Sequence, residues 1–180
     1  IATDRMSTYP VLGMSKFLKR FYFVQDYEPY FFAKGTSSIL TEYAYASEND
    51  FACICASPWL KQRMESFGKT AISFPLAVDH SVYNTNFNKT PKHNTIAFYV
   101  RRSTPRRLYE LGLLALRALF DLGDTFEVIT FGEQNLPDLG IPVKVRHAGI
   151  LDSNALAKLY RDCTIGFVLS GTNYSLVPNE

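Results

Sequence analysis

The chain has 180 residues, 47% of them apolar and 20% charged, and its 19 Lys and Arg against 17 Asp and Glu give a formal net charge of +2. This excludes a disordered chain, and the scattered Gly and Pro exclude collagen-like and low-complexity classes. No apolar run approaches the roughly 20 residues that cross a bilayer, and so small a net charge gives no overall drive toward nucleic acid.

The start, Ile1 to Arg5, has neither an initiator Met nor a leader pattern, and the end, Leu176 to Glu180, stops in mid-pattern. The expectation is a piece cut at both ends. Phe21 to Val24 reads as a buried strand, ended by the polar cluster Gln25 to Pro29. Ser37 or Ser38 can cap a helix through Ile39, Leu40, Tyr43 and Ala44. Phe51 to Ala56 is the next strand, on which Cys53 and Cys55 share a face as small buried hydrophobes. Ser57 and Pro58 open a helix through Leu60, Met64 and Phe67 that Gly68 stops, and Ala71 to Leu76 is a third strand. Strand, helix, strand, helix, strand is the parallel-sheet pattern.

Apolar periodicity lapses from Asp79 to Asn94, which marks a linker. The expected division is therefore 1–78, a linker at 79–94, and 95–180. Beyond it Thr95 to Val100 is a strand. Pro105 to Leu122 is an amphipathic helix with Leu108, Leu111, Ala115, Leu119 and Leu122 on one face. Phe126 to Phe131 and Val143 to Val145 are further strands. A helix capped at Asp152 or Ser153 leads into a last strand, Thr164 to Leu169. The fold class is α/β, with two doubly wound parallel sheets.

Open parallel sheets bind ligands at the carboxyl ends of their strands. Four polar clusters fall there. Arg101 to Arg107 holds four arginines just before an expected helix start, a pyrophosphate site on electrostatic grounds or else a solvated basic loop. Asp26 and Glu28 can bind sugar hydroxyls or act as a general base, or simply make a turn. Ser170 to Glu180 is a Gly/Ser/Thr/Asn loop after a strand, and His147 to Leu151 is a Gly turn before a helix. No GxGxxG, Walker loop or Gly-x-Ser-x-Gly elbow is present. His80, His93 and His147 show no metal spacing, and Cys53, Cys55 and Cys163 form no zinc or CxxC pattern, as in a reduced, cytoplasmic chain.

Taken in order, Tyr22 to Pro29, Ala56 to Leu60, Phe98 to Arg107 and Ser175 to Glu180 resemble the family-4-type glycosyltransferases of two-Rossmann-domain (GT-B) architecture. The likeness is greatest to bacterial rhamnosyltransferases of S-layer and O-antigen glycan synthesis. It implies that Arg101 and Arg106 hold the donor diphosphate, with Arg102 and Arg107 at the same spacing as the alternative register. It also implies that Ser175 and Leu176 offer backbone amides to the diphosphate, that the nucleobase packs at Gly149 to Leu151, and that Glu180 contacts the ribose. Thr172 stands where the family has a first glutamate, and Asp79 where it has a hinge aspartate. Asp26 and Glu28 are the catalytic candidates on the acceptor side. The implied partners are a nucleotide diphosphate sugar donor and a glycan or lipid-linked glycan acceptor, with no nucleic acid. No cofactor or metal is implied; the arginines offset the leaving charge. The protein is expected in the cytoplasm, at the inner membrane face as a peripheral associate, and the 180 residues alone are expected to be inactive. A non-enzymatic anion- or nucleic-acid-binding module using Arg101 to Arg107 is the rival reading.

Overall fold

A computed structural model of the chain describes residues 1–14, 19–46, 48–84 and 94–172. The chain divides into two compact units, Ile1–Ala77 and Val78–Gly171, with Thr172 grouped with the first. Of the expected linker, residues 79–84 group with the second unit, and 85–93 lie outside the described residues.

The first unit runs α1 (Arg5–Leu12), β1 (Phe21–Val24), α2 (Thr36–Tyr43), β2 (Ala52–Cys55), α3 (Pro58–Ser66) and β3 (Ala71–Ser73). The strands are all parallel in the order β1-β2-β3, with Phe21 opposite Ala52 and Cys53 opposite Ala71. Alternation selects the core. Tyr22, Val24, Cys53 and Cys55 point to one buried face and meet Leu60 and Met64 of α3. Burial pushes the Cys53 thiol up to about 11 and the Cys55 thiol up to about 12, so both are inert, as small hydrophobes should be. Helix α3 starts as its sequence dictates: Ser57 Oγ accepts the Leu60 N–H at 3.1 Å, and Pro58 occupies the first turn.

Three parts of this unit differ from expectation. The amino-terminal segment is structured: Ala2 bridges Tyr22 on the free edge of β1, and Asp4 and Ser7 form a reciprocal cap at the start of α1. The cap uses Asp and Ser rather than Ser and Glu, and Pro10 interrupts the apolar period, so neither signal is conspicuous. In α2 the N-cap is Gly35, and Ser38 instead donates its hydroxyl to the Pro29 carbonyl at 3.2 Å. The face of α2 turned inward carries Thr41, whereas Ile39, Leu40 and Tyr43 are exposed. Strand β3 ends at Ser73, two residues before Pro75, which has no N–H to extend the ladder.

The second unit runs β4 (Thr95–Tyr99), α4 (Tyr109–Asp121), β5 (Glu127–Phe131), β6 (Lys144–His147), α5 (Ser153–Asp162) and β7 (Ile165–Phe167). Its strands are parallel in the order β6-β5-β4-β7. Ile96, Phe98 and Val100 face α4 and Leu116, while Ala97 and Tyr99 face Leu159 of α5. Covering on both faces explains why β4 and β5 read as unbroken apolar runs. The buried stripe of α4 is Gly112 and Leu116, flanked by Tyr109, Leu113 and Leu119, one step round from the expected stripe. Leu111 and Leu122 are exposed, Leu122 at 82%. The helix is apolar nearly all round, so its period fits more than one face.

Candidate functional site

Chain order runs β4, β5, β6 in one direction across the second sheet and then returns to place β7 on the other side of β4. The strand order thus reverses beside β4, which is where open parallel sheets carry ligands, at the strands' carboxyl ends. Arg101 follows directly from β4, after Val100 extends the ladder by donating to the Phe131 carbonyl at 2.8 Å.

The arginine segment does not open the long helix, as the sequence suggested. Pro105–Arg107 is a separate 3-10 turn closed by Leu108 N–H to the Pro105 carbonyl at 3.0 Å. Leu108 then takes a left-handed conformation, φ 51°, and α4 begins at Tyr109 without a side-chain cap. Pro105 presets the turn, and the left-handed residue reverses the chain into the helix. A bulky residue in that region is strained, a feature that clusters at functional loops.

The four arginines have different fates. Arg102 forks onto Glu133: its Nε and Nη2 lie 3.0 and 2.8 Å from Oε1, and its backbone N–H donates to Oε2 at 2.8 Å. Its Nη2 also reaches the Asn135 carbonyl at 2.9 Å. Arg107 sits over the Tyr99 ring, 5.3 Å from its centroid. Arg101 is exposed and Arg106 half-buried. The Arg106 carbonyl accepts the Gly171 N–H at 2.8 Å, so the loop after β7 is latched to the arginine turn.

The floor between these loops is made by the ends of β5 and β6. Gly132 has φ 103°, and a Cβ there would lie 2.4 Å from the Tyr99 ring and 2.8 Å from the Val100 carbonyl oxygen, so only glycine fits. Its N–H donates to the Gly149 carbonyl at 2.9 Å. Gly149 is buried with φ 73° beside the Gln134 side chain, and Leu151 packs half-buried against the α5 side of the sheet. Ile150 between them is 68% exposed. His147 is held from both ring nitrogens, Nδ1 2.7 Å from Thr130 Oγ1 and Nε2 3.0 Å from the Gln134 carbonyl oxygen, which fixes it as a structural histidine. The structure therefore gathers Arg101, Arg106, Gly149 and Leu151 at one edge of one sheet. Ser175, Leu176 and Glu180 lie outside the described residues. Sequence reasoning missed Glu133 and Gln134, whose only signal was their place just after a strand that ends in Gly. A cavity of about 240 Å³, lined by Leu119, Phe126 and Ile165 among others, opens at the amino ends of β4 and β7, away from this edge.

In the first unit, Asp26 and Glu28 point to different tasks. Asp26 Oδ1 accepts the Tyr27 N–H at 2.8 Å, and Thr172 Oγ1 lies 3.4 Å from Oδ2. Glu28 is half-buried, and burial pushes its carboxyl above the usual range. Its Oε2 accepts the Arg5 N–H at 3.0 Å and its Oε1 the Tyr22 hydroxyl at 2.8 Å. These contacts tie the start of α1 to β1. Glu28→Ala is expected to lower stability by about 1–3 kcal/mol, because it strands two donors in a poorly hydrated place. Urea denaturation checks this; an unchanged midpoint would show that water replaces the carboxylate.

Residues 94–180 match the family described as WsaF, C-terminal domain. The chain is 34% identical over 186 aligned residues to the O-antigen biosynthesis protein RfbC of Myxococcus xanthus; the match takes in all of this chain and 14% of that protein. Among solved structures, sucrose-phosphate synthase from Thermosynechococcus elongatus superposes with a TM-score of 0.67, over 97% of this chain and 51% of that one, at 14% identity. That likeness is one of fold. The chain thus has the α/β fold of two Rossmann-like parallel-sheet units (GT-B) that its residues implied. Among the described residues, no helix is long and apolar enough to cross a membrane, and no three His, Cys, Asp or Glu side chains gather as a metal site.

Proposed function

We propose that the chain is the donor- and acceptor-binding part of a glycosyltransferase that moves a sugar, with rhamnose the leading candidate, from a nucleoside diphosphate to a growing glycan. One observation carries this reading. Where strand order reverses, β4 ends in an arginine-rich turn latched to the loop after β7, beside the glycine turns that follow β5 and β6. The resemblance puts the diphosphate on Arg101 and Arg106; of the alternative pair, Arg102 is held by Glu133 and Arg107 lies over Tyr99. Their guanidinium forks match phosphate oxygens, and their fixed charge would offset the charge of the departing diphosphate. The base would pack at Gly149 to Leu151, where a buried glycine gives close approach and Ile150 an apolar surface. Asp79 would mark the hinge between lobes 1–78 and 95–180. The acceptor, a glycan or lipid-linked glycan, would meet the Asp26 side at the inner face of the membrane.

The test is a panel of nucleoside diphosphate sugars offered to the intact protein, with release of nucleoside diphosphate measured on addition of glycan acceptors. Binding of at least one donor and acceptor-dependent release are expected. No donor binding, or equal binding of unrelated polyanions such as single-stranded nucleic acid, would favour a plain anion-binding module.

A further inference from the structure

At the carboxyl end of the first sheet, the loop after β1 and the start of α3 after β2 bring three aromatic rings together. Tyr27 is buried at 1% exposure, with Tyr30 and Trp59 set against it. The Tyr30 centroid is 4.8 Å from that of Tyr27 at 85°, and Trp59 is 6.2 Å away at 84°. Tyr30 and Trp59 are 6.5 Å apart and inclined by only 38°. Both outer rings remain open to solvent, Tyr30 at 50% and Trp59 at 36%. Scattered single aromatics need no explanation, but two adjoining rings fixed on a buried third form a surface.

That surface is rigid and has a polar edge. The Tyr27 hydroxyl donates to Glu42 and accepts from Arg63 Nη2 at 3.0 Å, and the Arg63 guanidinium lies 4.7 Å over the Tyr27 ring. Burial, then the Glu42 contact, pushes the Tyr27 phenol up to about 12, so it stays a donor. Arg63 and Glu42, 3.5 Å apart, keep 38% and 45% of their side chains exposed. A half-open donor and a half-open acceptor thus stand beside an aromatic platform.

We infer that Tyr30 and Trp59 form a stacking platform for one pyranose ring of a glycan, with Glu42 and Arg63 hydrogen-bonding its hydroxyls. A pyranose has one face of C–H bonds, which suits the negative face of an aromatic ring, and a rim of hydroxyls, which suits a carboxylate beside a guanidinium. A purely apolar partner would leave that ion pair to be desolvated without compensation. The inference rests on the reading of the chain as glycan-handling, and gives it an acceptor site apart from Arg101 and Arg106.

Trp59 is the chain's only tryptophan, so its emission reports this platform directly. The 180-residue chain is titrated with methyl glycosides of rhamnose, mannose, glucose and galactose and with their linear oligosaccharides. Glycerol, a polyol without a ring face, is the control. The expected result is a saturable change in Trp59 emission with at least one glycoside and none with glycerol. Tyr30→Ala should weaken that binding about two- to tenfold, while Tyr30→Phe retains it. Tyr30 is half exposed, so Tyr30→Ala should keep the native circular dichroism. No saturable response to any sugar, or an unchanged affinity in Tyr30→Ala, overturns the platform. Nucleoside diphosphate binding, measured separately, tests the donor reading: its loss with the sugar response intact would sink that reading and leave the platform standing.

Discussion

Replacing Arg106 with Ala in the full-length protein is expected to weaken nucleoside diphosphate binding about ten- to a hundredfold, one charge-assisted contact being worth on the order of 1.5–3 kcal/mol. Binding of the nucleoside without phosphates should hardly change, since the base is assigned to Gly149 to Leu151. The geometry sharpens the comparison. Arg102 already gives its fork to Glu133, so Arg102→Ala removes a clamp on the loop after β5 rather than a ligand contact. It should therefore weaken the nucleoside and the diphosphate alike. Calorimetric titration of both variants with both ligands separates the two registers. Were Arg102→Ala the variant selective for the phosphates, the assignment would move to Arg102 and Arg107.

Phe98→Ala is expected to destabilise the second unit by about 3–5 kcal/mol. The ring is fully buried on β4, with the Phe167 centroid 5.1 Å away and the Tyr109 centroid 6.5 Å away, both near-parallel. Gly112 of α4 lies so close that a Cβ there would stand 2.4 Å from Phe98 Cζ. The helix has no side chain at that point to refill the space, so collapse into the cavity is limited and the cost should sit high in the range. Because Trp59 belongs to the first unit, its emission should report a urea transition that hardly moves, while the circular dichroism acquires an earlier one. Coincident transitions in the variant would show that the two units unfold together.

The parallel sheets were legible because β4 and β5 are buried on both faces, and because Ser57 and Pro58 announce a helix in local chemistry alone. The arginine turn was legible in composition but not in shape. Pro105 is equally good at the first position of an α-helix and of a 3-10 turn, and nothing in the sequence marks Leu108 for the left-handed region. The stripe of α4 was misplaced by one step because leucines occupy several of its faces. Ala2 was passed over because a single buried residue pairing with β1 carries no period. Glu28 read as a chemical carboxylate through its neighbour Asp26, while its long-range contacts to Arg5 and Tyr22 are tertiary facts. The division of labour among the four arginines is of the same kind: Glu133 reaches Arg102 only through the pairing of β4 with β5, and Arg107 reaches Tyr99 only because the turn folds back over the end of β4.

The Arg102–Glu133 fork also bears on how the site should respond to acid. Hydrogen bonds from the Arg102 guanidinium and backbone N–H hold the Glu133 carboxyl below the usual carboxylate range. With its folded value depressed, the carboxylate is retained on acidification, and the fork is lost only as pH falls through that lowered value. The terminal phosphate of a nucleoside diphosphate, by contrast, takes up a proton near pH ~6, as phosphate monoesters do. Between pH 7 and 5 the Arg102–Glu133 fork is thus retained, and a fall in phosphate affinity over that interval is expected from the ligand. A methylene-bisphosphonate analogue with a raised final pKa should shift the whole affinity profile upward by the same amount; a profile that stayed in place would locate the titrating group in the protein.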